Sequence, residues 1–107
     1  MGKVIPAVRD VSKVEKVLVA PSDIVFLLTG TLLDLEDMVG YLKSGGKRVF
    51  VHADLVKGMK VDRYSLEYLK RKVGVDGIIS THIPALKQAR KMGLSIVQRI
   101  FHRTFWR

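Results

Sequence analysis

Side chains that could bind an anion or move a proton follow five separate apolar runs of this chain. The clusters are, in chain order, Arg9-Asp10, Thr29-Gly30-Thr31, His52-Ala53-Asp54, Ser80-Thr81-His82 and Arg99. Parallel strands that are buried on both faces have continuous apolar sequences. In α/β sheets and barrels, ligands bind at the carboxyl ends of such strands. The sequence therefore predicts one composite, partly basic site built from successive strand ends.

The arginine residues of these clusters favour an anionic ligand. A guanidinium group binds phosphate in bidentate fashion, so Arg9 and Arg99 are candidate anchors for a phosphorylated ligand or for an RNA backbone. Alternatively, each could form a structural ion pair with Asp10 or Asp54 across the end of the sheet. The residue types do not decide between these roles.

The small hydroxyl residues and the glycine are likewise compatible with either ligand binding or a structural role. Glycine allows close backbone approach, so Thr29 and Gly30 could cradle an anion, or Gly30 could only supply a turn. Ser80 and Thr81 could bind phosphate or cap the helix that follows them. No Gly-x-Ser-x-Gly motif surrounds Ser80, so it is not predicted to be a nucleophile.

His52 and Asp54 alternate along one strand and therefore project to the same side. They could form an acid–base pair, part of a metal site, a grip on ligand hydroxyls or a polar layer without a ligand. Two ligands do not make a metal site, and His82 is the sole candidate for a third. We predict no metal, no cofactor and no catalytic residue.

The elements that position these clusters alternate between strand and helix. Asp34 is expected to cap a helix in which Leu35, Met38, Val39 and Leu42 share one face, and which Gly45-Gly46 ends. Ser12 and Glu15 predict a capping box for a helix that reaches about Leu18. Further helices are expected from about Tyr64 to Val73 and from near Pro84 to Gly93.

Five strands alternating with four helices predict a parallel sheet with right-handed crossovers. A doubly wound sheet and an incomplete barrel both fit this order. The α/β fold would in the second case be an incomplete barrel of about four βα units plus a fifth strand, since the 107 residues are about half of a whole barrel. Such a sheet leaves two edges unpaired, through which copies of the chain could associate.

Length and composition indicate one globular domain. We assign residues 1–101 to the barrel domain, and we expect the basic-aromatic tail, residues 102–107, to lie outside the fold. The net charge of +9 favours a polyanionic partner such as RNA or DNA. The chain has no cysteine, and the sequence predicts neither a signal peptide nor a membrane helix.

Five longer runs together resemble the glycerol-3-phosphate-responsive antiterminator family, the glycerol uptake operon antiterminator regulatory proteins of bacteria. The runs are Ile5–Asp10, Val25–Gly30, Lys47–Leu55, Asp76–Thr81 and Ile96–Phe101. The resemblance implies a TIM-barrel-like fold and a cytoplasmic regulator that binds glycerol-3-phosphate and the leader mRNA of glycerol-utilisation genes. RNA binding would prevent formation of a terminator.

The resemblance also implies that the chain is a shortened form, which lacks the C-terminal half-barrel strands of the family. Nine residues are expected to bind ligand: Arg9, Asp10, Thr29, Gly30, His52, Asp54, Ser80, Thr81 and Arg99. The arginines would hold the anion, and His52 and Asp54 would hold ligand hydroxyls. Lysines of the Lys57–Lys60 loop could contact RNA phosphates. The alternatives are a phosphate-binding barrel enzyme that uses His52 and Asp54, or a nonfunctional fragment.

Overall fold

The computed structural model describes residues 5–100 in full and the backbone of residues 103–106. The strands are β1 (Ala7–Val8), β2 (Ile24–Leu27), β3 (Arg48–His52), β4 (Gly77–Ser80), β5 (Ser95–Ile100) and β6 (Arg103–Trp106). The helices are α1 (Val14–Leu18), α2 (Leu35–Ser44), α3 (Arg63–Tyr68) and α4 (Ile83–Lys91). Short 3-10 turns at Val11–Lys13 and Ala53–Leu55 and a π turn at Leu69–Val73 complete the described elements.

Strands β1 to β5 lie side by side in chain order, and each pairs in parallel with the next. Because the crossovers of parallel strands are right-handed, a sheet that always grows in one direction places every helix on the same face. A doubly wound sheet instead reverses its direction at a switch point. The sheet is not closed, since β1 has β2 as its one neighbour. The fold is therefore α/β with an incomplete (β/α) barrel, as predicted.

The alternation of side chains divides the sheet into a helix-covered face and an inner face. Val25, Val49 and Ile78 share one buried cluster with helix residues such as Val39 and Leu86. A second cluster, formed by Phe50, Ile79 and Val97 with Ile24, Phe26 and Leu28 packed against it, lies on the inner face. Burial of each such side chain contributes about 1.5–3 kcal/mol to folding.

Local sequence accounts for where the helices begin and end. In α2 the predicted face of Leu35, Met38, Val39 and Leu42 is buried. Asp62 caps α3 by accepting a hydrogen bond from the backbone N–H of Ser65 at 2.8 Å. Gly74, at φ 83°, ends the π turn that continues α3. The Ser12–Glu15 capping box was a wrong prediction, because Asp10 accepts from the Ser12 N–H and starts a 3-10 turn.

Two lysines stabilise the end of the sheet at which the parallel strands begin. The buried Lys47 donates from Nζ to the carbonyl oxygens of Ala20 at 2.8 Å and Ser22 at 2.6 Å. Lys43 forms an ion pair of 2.8 Å with Asp76, whose Oδ2 also accepts from the Val49 N–H. These contacts fix the strand starts, while the candidate site residues lie at the other ends.

The tail differs from its prediction in the part that the structure describes. The backbone of residues 103–106 forms β6, which pairs antiparallel with β5. The tail backbone therefore extends the sheet at these four positions; His102 and Arg107 lie outside the described residues. The unpaired edges of the described sheet are β1 and β6, and association through them stays a prediction. None of the described helices is long and apolar enough to cross a membrane.

A glycine in β4 is required by the packing of the inner face. Gly77 is the ladder partner of Phe50, and a Cβ at Gly77 would lie 2.6 Å from Cδ2 of that ring. The ring is also 5.6 Å, centroid to centroid, from Phe26. Phe50 therefore occupies the space that any side chain at position 77 would need.

We predict that Gly77→Ala lowers the free energy of unfolding by about 1–3 kcal/mol, because it overpacks the inner face. Urea denaturation measures this change. Gly40→Ala is the control: Gly40 is exposed within α2 with nothing within 4 Å of its Cβ position. That control should gain about 0.5–1 kcal/mol from helix propensity. Equal effects of the two substitutions would contradict the packing argument.

Candidate functional site

Arg9 and Arg99 lie at one pocket on the inner face, although ninety residues separate them in the sequence. The cavity measures ≈ 220 Å³, and the rest of its lining is apolar: Ile5, Ala7, Phe26, Leu28 and Ile79. We call it the inner-face pocket. Arg9 follows β1 and Arg99 lies in β5, so the strand order brings the two guanidinium groups to the same side of the sheet. Two cations above an apolar floor suit an anion, and binding of an anion by Arg9 and Arg99 stays a prediction.

His52 lies on the same inner face, beside this pocket. It follows Phe50 by two residues in β3 and is the ladder partner of Ile79, which lines the pocket. The side chain is 2% exposed, and neither Nδ1 nor Nε2 has a hydrogen-bond partner among the described residues. A buried polar atom without a partner costs about 1–3 kcal/mol.

The protonation state of His52 follows from its surroundings. Burial lowers the pKa of His52 below its ordinary value, the positive charge of Arg99 lowers this pKa further, and Asp54 opposes both effects. The imidazole is therefore neutral near pH 7. A neutral imidazole offers one N–H donor and one nitrogen acceptor.

Asp54 joins the ends of β3 and β4. Its carboxylate accepts hydrogen bonds from Ser80 Oγ at 2.9 Å, Thr81 N at 2.9 Å and Thr81 Oγ1 at 3.1 Å. Ser80 is fully buried and its Oγ also accepts from the His82 N–H. We call Asp54, Ser80 and Thr81 the strand-end clamp. His52 Nδ1 is 3.9 Å from Asp54 Oδ2, which is too long for a hydrogen bond.

The remaining predicted residues have local contacts. Asp10 accepts from the Ser12 N–H, and this hydrogen bond lowers the pKa of Asp10. Gly30 has φ 130° and its carbonyl accepts from the Lys57 N–H, so it supplies a turn conformation that glycine favours. Neither Thr29 nor Gly30 lines the inner-face pocket. Contact between these residues and a ligand stays a prediction.

A second cavity, which the sequence did not predict, opens between α3 and α4. It measures ≈ 660 Å³. Its apolar lining is Met59, Val61, Leu66, Pro84 and Ala85. Its polar lining is Asp54, Asp62, Arg63, His82 and Gln88. We call it the interhelical cleft. Most of these residues lie at the starts of helices, whereas the predicted site residues lie at the ends of strands. Asp62, which caps α3, was the sequence signal that pointed to this region.

No three His, Asp or Glu side chains of the described residues lie close enough together to hold a metal ion. The donors of the inner-face pocket are cationic guanidinium groups. They suit an anion and cannot coordinate a cation.

Comparison with known proteins identifies the family that the chain matches. The model of the family described as "Glycerol-3-phosphate responsive antiterminator" matches residues 4–103. The protein YgcP of Escherichia coli K12, described as uncharacterized, is 32% identical over 98 residues, which are 92% of this chain and 51% of that protein.

Two solved structures share the fold. The glycerol uptake operon antiterminator regulatory protein of Listeria monocytogenes has a TM-score of 0.86 at 35% identity over 92% of this chain and 54% of that one. A glycerol uptake operon antiterminator-related protein of Thermotoga maritima has a TM-score of 0.80 at 35% identity over 95% and 58%. The chain therefore spans about half the length of the relatives it matches.

We predict that Asp54→Asn lowers the free energy of unfolding by about 1–3 kcal/mol, because the amide cannot accept all the hydrogen bonds of the strand-end clamp. Thermal or urea denaturation measures the change. Asp23→Asn is the matched control, since Asp23 is exposed and its side chain forms no hydrogen bond or ion pair with the described residues. That control should stay within about 0.5 kcal/mol. A clamp variant as stable as the control would refute the structural role of Asp54.

Acidification should destabilise the protein through His52. Its pKa is lowered in the folded state, so the unfolded chain takes up the proton first as the pH falls through about 6.5. Stability is therefore present above this pH and is lost as the pH decreases towards the folded pKa. We expect the free energy of unfolding to fall less between pH 7.5 and 5.5 in His52→Leu than in the wild type. Urea denaturation at both values tests this, and identical losses would contradict it.

Proposed function

We propose that this chain, which belongs to the glycerol-3-phosphate responsive antiterminator family, is a cytoplasmic RNA-binding regulator of glycerol metabolism that responds to glycerol-3-phosphate. Its RNA partner is the leader mRNA of glycerol-utilisation genes. Binding to that RNA disfavours the terminator and lets transcription continue. Because the chain spans about half of its longer relatives, the activity of a whole relative comes to it as part of this proposal.

The observation that carries the proposal is the meeting of Arg9 and Arg99 in the inner-face pocket. A phosphate dianion accepts charge-assisted hydrogen bonds from two guanidinium groups, and each group can bind it in bidentate fashion. The volume of ≈ 220 Å³ lies below the range of about 300–1,000 Å³ for drug-sized ligands. A three-carbon phosphate ester suits a cavity of this size.

His52 supplies the second part of the effector site. Its two unpaired ring nitrogens match the hydroxyl groups of a polyol, since each hydroxyl both donates and accepts. A buried nitrogen without a hydrogen-bond partner is unfavourable, so a hydrogen bond between His52 and a ligand hydroxyl would offset that cost. The strand-end clamp holds the β3 terminus that carries His52.

The proposal assigns no enzymatic role. An acid–base pair needs His52 and Asp54 within hydrogen-bond reach of each other or of a substrate proton. Asp54 is instead engaged by Ser80 and Thr81, and its Oδ2 lies 3.9 Å from His52 Nδ1. These contacts favour a binding site over a catalytic one.

We predict that Arg99→Gln weakens binding of glycerol-3-phosphate by about 10- to 100-fold, because it removes hydrogen bonds to a charged group worth about 1.5–3 kcal/mol. Isothermal titration calorimetry measures the affinity. Arg9→Gln should act in the same direction. Glycerol and inorganic phosphate, titrated separately, should each bind more weakly than the ester.

Arg48→Gln is the matched control. Arg48 is exposed at the first residue of β3, at the opposite edge of the sheet, and its loss changes the net charge equally. The effector site is refuted if Arg48→Gln weakens binding as much as Arg99→Gln, or if the wild type binds the ester no better than glycerol.

A further inference from the structure

The positive charge of the chain is concentrated on the segments that border the interhelical cleft. Residues 57–72 and 83–91 contain nine Lys or Arg and two Asp or Glu, which gives them +7 of the total charge of +9. The remaining residues contain ten basic and eight acidic side chains and are nearly neutral. A polyanion approaching the chain is therefore drawn to the α3–α4 side of the molecule.

The basic side chains of this region are available to a partner. Lys57, Lys60, Lys87 and Lys91 are exposed, and their side chains form no hydrogen bond or ion pair with the described residues. Pro84, Gln88 and Lys91 lie at i, i+4 and i+7 of one helical stripe, so Lys91 extends the cleft-lining side of α4. Lys60 separates Met59 from Val61, both of which line the cleft.

The acidic groups near the cleft already have local partners. Asp62 accepts from the Ser65 N–H as the cap of α3, and Asp54 is held in the strand-end clamp. Glu67 lies 3.8 Å from Arg71, an i, i+4 pair on the helix. These contacts offset part of the repulsion that the carboxylates would exert on an anionic partner.

The cleft lies at the starts of the two helices, while a side-chain hydrogen bond connects the segments at their far ends. Lys70 Nζ donates to the carbonyl oxygen of Met92, which joins the end of the α3 segment to the end of α4. Towards the helix starts, Met59, Leu66 and Pro84 form an apolar floor, while Arg63, His82 and Gln88 offer polar groups. A flat ring can lie on such a floor with its edge against these groups.

An exposed aromatic platform stands beside this opening. Tyr64 is 72% exposed, and the guanidinium of Arg63 lies 4.9 Å from the centre of its ring. Arg63 also donates to the Tyr64 hydroxyl at 3.1 Å and lines the cleft. Stacked arginine and tyrosine side chains are the surfaces on which unpaired bases pack in single-stranded nucleic-acid sites.

We infer that the interhelical cleft and the Arg63–Tyr64 platform bind single-stranded RNA, with one unpaired base in the cleft and the next stacked on the platform. Lys60, Lys87 and Lys91 contact the phosphates. The inference rests on the proposed function for its RNA partner and adds the surface that binds it. The RNA surface thus lies on the helix-covered side, whereas the effector pocket lies on the inner face.

The test compares two pairs of substitutions that remove the same charge. Lys87→Gln with Lys91→Gln changes the proposed surface, and Lys13→Gln with Lys16→Gln changes two exposed lysines, one just before α1 and one within it. Fluorescence anisotropy with a short, labelled single-stranded RNA of mixed sequence gives the affinity at several salt concentrations. We expect the first pair to lower the slope of log K against log salt by about 1.4, or about 0.7 for each lost phosphate contact. The second pair should leave the slope nearly unchanged.

A second comparison isolates the stacking. Tyr64→Ala should weaken RNA binding by about 5- to 150-fold, whereas Tyr41→Ala, which removes another exposed tyrosine, should have little effect. Circular dichroism confirms that each variant is folded. If the two lysine pairs, or the two tyrosine substitutions, weaken RNA binding equally, the proposed RNA surface is wrong. The proposed function as an RNA-binding regulator is then unaffected. A wild-type chain that does not bind RNA overturns the inference and the RNA-binding part of the proposed function together, while effector binding in the calorimeter is unaffected.

Discussion

One carboxylate holds the two central strands of the sheet together at the end where the candidate sites lie. Asp54 accepts hydrogen bonds from Ser80 and Thr81 and so fixes the end of β3 against the end of β4. Asp54 also lines the interhelical cleft and lies 3.9 Å from His52 on the inner face. The clamp therefore stands between the effector pocket and the RNA surface that we propose. Each surface includes one residue of this region, since Ile79 of β4 lines the inner-face pocket and Asp54 lines the cleft.

The two proposed sites lie on opposite sides of the sheet because the strands follow one another in chain order. A parallel sheet that grows in one direction with right-handed crossovers has all its helices on one face. The other face is left to strand side chains, and near the strand ends it carries Arg9, His52 and Arg99. A barrel interior of this kind is packed by layers of side chains. Phe50 over Gly77 is part of such a layer, and the arginines lie at its open end.

Much of this arrangement could be predicted from the sequence, because it depends on short-range patterns. The i, i+3, i+4, i+7 spacing from Leu35 to Leu42 gave α2, and apolar runs gave β2 to β5. The meeting of Arg9 and Arg99 followed from the rule that parallel strands end at the same edge. The start of α1 was predicted wrongly, since Asp10 and Ser12 are both good caps and the choice between them depends on the path of the chain after β1.

The sequence could not predict features that depend on packing between distant elements. Contact between Asp54 and a ligand stays a prediction, but its hydrogen bonds with Ser80 and Thr81 of the next βα unit could not be predicted from local sequence. The interhelical cleft is formed by residues at the starts of two helices, and although Asp62 marks the start of α3, the gap between the helices depends on how they pack. The strand formed by residues 103–106 was also missed, because a short basic-aromatic segment pairs only when an edge such as β5 is next to it.

In the regulatory mechanism that we propose, an anion held on the inner face changes the affinity of this chain for RNA. An electrophoretic mobility shift with the leader RNA of a glycerol-utilisation operon, with and without glycerol-3-phosphate and at two salt concentrations, tests it directly. We expect binding that strengthens with the effector at both salt concentrations. Binding that ignores the effector and disappears at the higher salt concentration would contradict the claim, because the net charge alone accounts for such behaviour.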